Sequence, residues 1–280
     1  MSDQFHYLFS PLRIGSVTVR NRILFPAHLT NYAENNLPSE RHAYYYAERA
    51  EGGAGLIITE EQSVHPSDRA YEKLIDAFEE EVIPGYKRIT EMVHRHGAKI
   101  FAQINHNGQQ GSSLYTDRPV LGPSSVPDPL FREVPKALEL EDIDELVEGF
   151  AKVAVHVREG GFDGIEIQGS HSSVIRQFMS PLTNRRTDSY GGSLNNRLRF
   201  CFRVLEAIRD AVGRDYPLGI RLSGDELVDG GLTMDELPYW RDGTLEKYTP
   251  SGDYVVVKFS RWAFEKFEQL EDKLGTQMKA

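Results

Sequence analysis

The sequence is poor in the features that announce several large protein classes. It has one cysteine, Cys201, in 280 residues. That excludes an internal disulfide framework, a Cys-rich zinc site and an iron–sulfur cluster held within this chain. It has no apolar leader of signal-peptide type over Met1 to Arg20, and no run near the roughly 20 apolar residues of a membrane span. Basic charge is in deficit: 32 Lys and Arg stand against 42 Asp and Glu, a formal net charge of −10. Such a chain repels phosphate backbones, so nucleic acid and anionic membranes are excluded as generic partners. These absences lead to the expectation of a cytoplasmic α/β protein.

Signature spacings are missing as well. There is no Walker sequence, no G-x-S-x-G elbow and no His-Glu-x-x-His. His28, His106 and His171, with Asp225, are the rival metal set, but their spacing gives it no support and no metal is expected. Asn-Gly or Asp-Gly turns do not join the apolar runs, which argues against hairpins.

What the chain does have is alternation of short apolar runs with amphipathic helical stretches. Arg22 to Pro26, Gly55 to Thr59, Lys99 to Ile104, Gly164 to Gln168 and Leu218 to Leu222 read as buried strands. Helices are predicted from Ser39 to the glycines at 52 and 53, from about Pro84 to His96, and over Leu194 to Val212. The clearest one carries Ile143, Leu146, Val147, Phe150, Val153, Ala154 and Val157 on one stripe, with Asp142 and Glu145 spaced as a capping box. A Pro/Ser/Gly-rich loop, Gly111 to Pro135, is long enough to suggest a functional role or disorder.

This order predicts right-handed βαβ crossovers and a parallel sheet, as a doubly wound fold or a (β/α)₈ barrel. The turn after the first strand, Phe25 to Thr30, lacks the G-x-G-x-x-G of the doubly wound nucleotide folds. Polar residues instead follow each strand: His28, Glu60-Glu61, Gln103 with His106, Gln168 with His171, and Arg221 with Asp225-Glu226. Side chains gathered at strand carboxyl ends favour the barrel. Gln103 offers an acceptor and two donors to the edge of a flat heterocycle, or else satisfies loop backbone. Arg221 needs an anion or an electron-rich acceptor; an ion pair with Asp225 or Glu226 is the structural alternative. Gln168 and His171 together could hold a carbonyl or small anion. A Ser/His/Asp hydrolase, from Ser170 and Ser172 about His171, is weaker still.

Several runs are more specific. They are Leu8-Phe9-Ser10-Pro11-Leu12 with Val19-Arg20-Asn21-Arg22-Ile23, Gln103-Ile104-Asn105-His106-Asn107-Gly108, and Phe162-Asp163-Gly164-Ile165-Glu166-Ile167. The longest extends from Phe178-Met179-Ser180-Pro181-Leu182-Thr183-Asn184-Arg185-Arg186 to Tyr190-Gly191-Gly192-Ser193-Leu194. Through these the chain resembles the Old Yellow Enzyme superfamily of NADH:flavin oxidoreductases, in the branch of 2,4-dienoyl-CoA reductase, trimethylamine dehydrogenase and mycofactocin-associated enzymes. The resemblance covers about residues 8–236. It implies an FMN-dependent oxidoreductase moving hydride through flavin N5 between NADH or NADPH and an unsaturated carbonyl or related small substrate. An amine or alcohol dehydrogenase-like flavoprotein, or a catalytically incompetent fragment, is the alternative.

Position by position, the resemblance implies that Pro26 and Ala27 lie beside the flavin through their backbone, with Glu60-Glu61 near its edge. Gln103 would bond the pyrimidine edge, Arg221 would stand by N1 and O2, and Gln168 and His171 would meet the substrate. Two departures are visible. Many relatives carry His at the position of Gln168 and a proton-donating Tyr where this chain has Ser173. The resemblance also stops near residue 237, so about five of eight βα units are expected. The strands that grip the FMN phosphate would be missing. The chain divides into an FMN-binding barrel portion, 1–237, and a divergent tail, 238–280, with one strand-like run (Tyr254 to Phe259) and one helix (Trp262 to Leu274). The run from Ser251 to Val257 loosely resembles the strand that opens a C-terminal dinucleotide domain, which favours an internal deletion. A homo-oligomer, or a second chain completing the barrel, would then be the partner.

Overall fold

The computed structural model of the protein describes residues 5–233, Glu236 and Val255–Lys258. Two short strands, β1 (Leu12–Ile14) and β2 (Val17–Val19), come first and pair antiparallel. They correct the expectation of a chain without hairpins. The turn is Gly15-Ser16, and Gly15 at φ 56° takes the left-handed conformation that a tight hairpin requires. No Asn-Gly or Asp-Gly marks it.

A parallel sheet follows. Its strands are β3 (Leu24–Phe25), β4 (Leu56–Ser63), β5 (Ile75–Asp76) and β6 (Lys99–Asn105). A small separate pair, β7 (Leu121–Gly122) with β8 (Lys136–Ala137), precedes β9 (Gly164–Gly169), β10 (Leu218–Ser223) and β11 (Val255–Lys258). The spatial order is β11-β10-β9-β6-β4-β3, with β5 beside the end of β4. Each successive main strand lies next to its predecessor, the order that a singly wound barrel wall requires. The expected five strands are all present. The strand-like run after residue 250 supplies a sixth, with Ile220 level with Val255. The expected helix over 262–274 lies outside the described residues.

The first strand was expected to be buried. In the structure it is two residues long, Leu24 is exposed and Phe25 only partly buried. Among the described residues β3 has one neighbour, β4, so it is an edge and only half enclosed.

Helices α1 (Glu40–Glu51), α2 (Val82–His94), α4 (Leu140–Glu159) and α6 (Leu194–Val212) link the strands; α3 (Ser113–Thr116) and α5 (Val174–Met179) are short. In α4 the whole predicted stripe from Ile143 to Val157 is buried. Its start is not at Asp142: Glu139 is the N-cap and Asp142, three residues on, bonds the Glu139 N–H at 2.8 Å. The capping box exists, one turn earlier than the apolar stripe suggested. The 111–135 loop is likewise more structured than expected, holding α3 and β7.

The main core lies between sheet and helices and takes Ile57, Ile100, Ala102, Ile104, Ile165, Ile167, Ile220 and Leu222 from the strands. A second, smaller core sits on the other side, at the strands' amino ends: Leu56, Ile58 and Phe101 pack against Ile14 and Val19 of the hairpin. The hairpin thus plugs one end of the curled sheet and leaves the carboxyl end for polar side chains. Gly164 makes this possible, since a Cβ there would stand 2.7 Å from the Phe101 ring. Among the described residues no helix is long and apolar enough to cross a membrane.

Candidate active site

Side chains alternate across a pleated strand, so the inner face can be read residue by residue. On β6 Phe101, Gln103 and Asn105 share one side; on β9 Gly164, Glu166 and Gln168; on β10 Gly219, Arg221 and Ser223. In each strand an apolar or small residue comes first and polar residues follow toward the carboxyl end. On β4 strict alternation would put Glu60 with Leu56 and Ile58. The pairing with β6 shifts between Ile58 and Glu61, where a bulge inserts one extra residue. The bulge reverses the facing of the two carboxylates. Glu61 joins the inner face, level with Gln103. Glu60 turns outward, accepts from Thr30 N and Oγ1 at 2.7 Å, and lies 2.5 Å from His42 Nε2 on α1. Of the expected pair, only Glu61 faces the site.

A cavity of about 100 Å³ opens at this end. Glu61, Gln103, Gln168, His171 and Arg221 all line it, together with Ala27, His28, Leu29, Tyr71 and Ser172. Six of the seven expected residues, Ala27 among them, therefore meet in one space. Pro26 is exposed next to it and is not in its lining. His106 is not there either: its Nε2 lies 3.0 Å from Ser67 Oγ and its Nδ1 accepts from Gly108 N. Burial beside His65 pulls His106 down to about 3, so it stays neutral. Among the described residues no three His, Cys, Asp or Glu gather as a metal site.

Glu166 is the organising residue that the sequence reading passed over. It is fully buried, and its Oε1 accepts from Gln103 Nε2 at 2.7 Å. The same oxygen lies 3.4 Å from Arg221 Nε. Arg221 is thus paired across the sheet with Glu166, not with Asp225 or Glu226. Asp225 instead accepts from Leu227 N, while Glu226 binds Arg176, Ser180 Oγ and Leu232 N. A charged residue inside the run Ile165-Glu166-Ile167 was the available signal, since a buried carboxylate in a strand needs a partner.

Glu61 Oε2 accepts from Asn105 Nδ2 at 2.9 Å, and the same amide donates to Ser172 O at 2.7 Å. Burial pushes Glu61 up to about 7, with hydrogen bonds from Asn105 and Asn107 opposing the rise. Ser172 has φ 52°, a left-handed conformation rare for a residue with a side chain. His171, just before this turn, lines the cavity. Ser173, just after it, is fully buried. Its hydroxyl donates to Gln168 O at 2.5 Å and caps α5 by accepting from Ile175 N. Gln168 Oε1 accepts from Ser170 Oγ at 2.7 Å, which directs the Gln168 amide.

A larger cavity of about 500 Å³ adjoins the first through His171 and reaches Asp128, Arg176, Asp225, Glu226 and Val228. It is of the size that holds a small organic ligand. The smaller cavity admits an edge of a ring system and not a whole tricycle.

The donor set suits the pyrimidine edge of a flavin, where carbonyl acceptors flank an N–H. Glu166 holds the Gln103 amide nitrogen, leaving that side chain's oxygen to accept. Arg221 Nε is buried with no hydrogen bond, a cation with a donor still to place.

Comparison with known proteins identifies the family. The sequence model of the NADH:flavin oxidoreductase / NADH oxidase family matches residues 7–279, including the segment after 237. The chain is 42% identical over 236 residues to an NADH oxidase of Thermoanaerobacter brockii, covering 83% of this chain and 36% of that protein. It is 39% identical over 237 residues to an N,N-dimethylglycine/sarcosine dehydrogenase of Chromohalobacter salexigens, covering 83% of this chain and 34% of that one. The chain thus spans about a third of the length of these curated relatives. The structure of morphinone reductase in complex with tetrahydroNAD superposes with a TM-score of 0.81 at 28% identity, covering 89% of this chain and 73% of that chain.

Proposed function

Since the chain belongs to the NADH:flavin oxidoreductase / NADH oxidase family, we propose that it binds FMN with one edge of the ring at the small cavity and moves hydride from NADH or NADPH to an unsaturated carbonyl compound. The observation that carries this is the meeting of Gln103 and Arg221 on one buried carboxylate, Glu166, at the mouth of the same cavity. FMN bound there would take up hydride at N5 and release it to the second substrate.

The chain's own residues do the rest. Arg221 holds a fixed positive charge where negative charge grows on reduction, which favours the reduced state. Gln103, held by Glu166, sets the ring's orientation. Pro26 and Ala27 run beside it through their backbone, and Glu61 stands at its edge. Gln168 and His171 hold the substrate's carbonyl, Gln168 as a neutral amide donor and His171 between the two cavities. The 500 Å³ space receives the body of the substrate.

A second reading, oxidation of an amine, draws on one observation: Asp128, Asp225 and Glu226 line the larger cavity with a single cation, Arg176, among them. The dehydrogenase from Chromohalobacter is named for such substrates. Fluorescence titration of FMN with the purified chain tests the common premise. Quenching and a perturbed flavin spectrum are expected; free-flavin emission throughout refutes the proposal. Reduction by NADH followed by turnover of an enone, and not of a methylated amino acid, separates the two readings.

A further inference from the structure

Reducing a carbon–carbon double bond requires a proton as well as a hydride, and the groups around the cavity differ in their ability to give one. Ser173 is ruled out by its own bonds: its proton is committed to Gln168 O, and the side chain faces the helix it caps. Gln168 carries no acidic proton, and an arginine does not release one near neutral pH. His28 is engaged by the Tyr45 hydroxyl. Glu61, pushed up to about 7, is the rival acid; its Oε2 accepts the Asn105 amide. The other ionisable O–H in the lining is the phenol of Tyr71, from the loop between β4 and β5. Among the described residues this phenol makes no hydrogen bond, so its proton is uncommitted.

Resting on the enone reading above, we propose that Tyr71 is the proton donor of the reaction, entering the site from a different loop than the turn that carries Ser173. The hydride reaches the carbon β to the carbonyl. The Tyr71 O–H bond breaks as its proton forms the new C–H bond at the α-carbon. The phenolate recovers a proton from water, so one NAD(P)H and one proton are consumed per double bond. Gln168 and His171 hold the carbonyl that bears charge in between.

The electrostatics suit a donor that must hold its proton until it is needed. Burial, with the carboxyls of Glu61 and Asp68 nearby, raises Tyr71 above the ordinary phenol range. His28, His171 and Arg221 share the cavity as the groups of opposite tendency. At neutral pH the phenol is therefore fully protonated.

Stopped-flow kinetics on the FMN-loaded chain separate the two half-reactions. Tyr71→Phe is expected to slow reoxidation by cyclohexenone about 10²–10⁴-fold, and reoxidation by a quinone, which forms no C–H bond, far less. Equal loss with both acceptors, no loss with the enone, or a loss carried by Glu61→Gln in its place would overturn the assignment. Tyrosinate absorbance of the flavin-free protein supplies an independent readout. Tyr71→Phe should remove one late-titrating phenol, and Glu61→Gln should return that phenol toward the ordinary range. A chain that takes no FMN yet shows this coupling refutes the cofactor reading and leaves the arrangement of the cavity standing. A chain without the coupling refutes the role of Tyr71 itself.

Discussion

Arg221→Met isolates the buried pair at the centre of the site. Glu166 is wholly buried and the Arg221 side chain only 11% exposed, so solvent screens their 3.4 Å contact weakly. Breaking such a pair by removing one member typically costs about 3–5 kcal/mol, because a buried charge loses its compensation. The contact is long and the arginine reaches a cavity, so the low end applies, about 3 kcal/mol. At roughly 2–4 °C per kcal/mol the thermal midpoint should fall by about 6–12 °C. Glu166→Gln combined with Arg221→Met removes both charges and keeps an acceptor for Gln103. The double variant should regain all but about 1 kcal/mol of the loss. FMN affinity should not return with it, since the cation facing the ring is still absent. A lost charge-assisted hydrogen bond of about 1.5–3 kcal/mol corresponds to roughly 10–100-fold in Kd. Circular dichroism melting and FMN fluorescence titration read the two quantities separately. A single variant as stable as the parent, or a double variant no better than the single, would refute the pairing. A double variant that binds FMN normally would refute the cofactor role of Arg221.

Three further outcomes follow from the same geometry. Glu61, raised in the folded chain to about 7 from the ordinary 4.5, binds its proton more tightly folded than unfolded. Its contribution is therefore full below about pH 4.5 and falls as pH rises toward 7, by about 3 kcal/mol at most. Glu61→Gln should be more stable than the parent at pH 8 and no more stable at pH 4, as denaturation midpoints at both values will show. Ser173→Ala should cost about 1–2 kcal/mol through loss of the α5 cap and the bond to Gln168 O, measured by urea unfolding. It should leave the rate of proton transfer to an enone intact; a rate loss exceeding the stability loss would make the serine the acid after all. Gly191→Ala would place a Cβ 2.0 Å from the Arg186 carbonyl oxygen, which is backbone and has little room to yield. A cost of roughly 3 kcal/mol or more is expected in the same unfolding assay.

Much of this architecture is written locally. The apolar stripe of α4, the unbroken apolar start of β4 and the apolar-rich runs of β6, β9 and β10 depend on the helical and strand periods, which a linear pattern displays directly. The order of strands and helices then leaves few topologies, and polar residues placed after each strand mark the carboxyl end as the site. Gln103, Gln168, His171 and Arg221 were legible for that reason.

What the linear pattern could not decide depends on register and on distant neighbours. A one-residue bulge determines that Glu61 and not Glu60 faces the cavity, and a bulge is a property of two paired strands, not of one. The hairpin at Gly15 was missed because its turn uses a glycine without the usual Asn or Asp. Glu166 joins Gln103 to Arg221, and Tyr71 enters from a loop with no recognisable spacing, only because the sheet curls its strand ends around one space. The alternation of side chains is fixed when the chain is synthesised. Which of them share a cavity is fixed when burial of the apolar side sets the pairing of the strands.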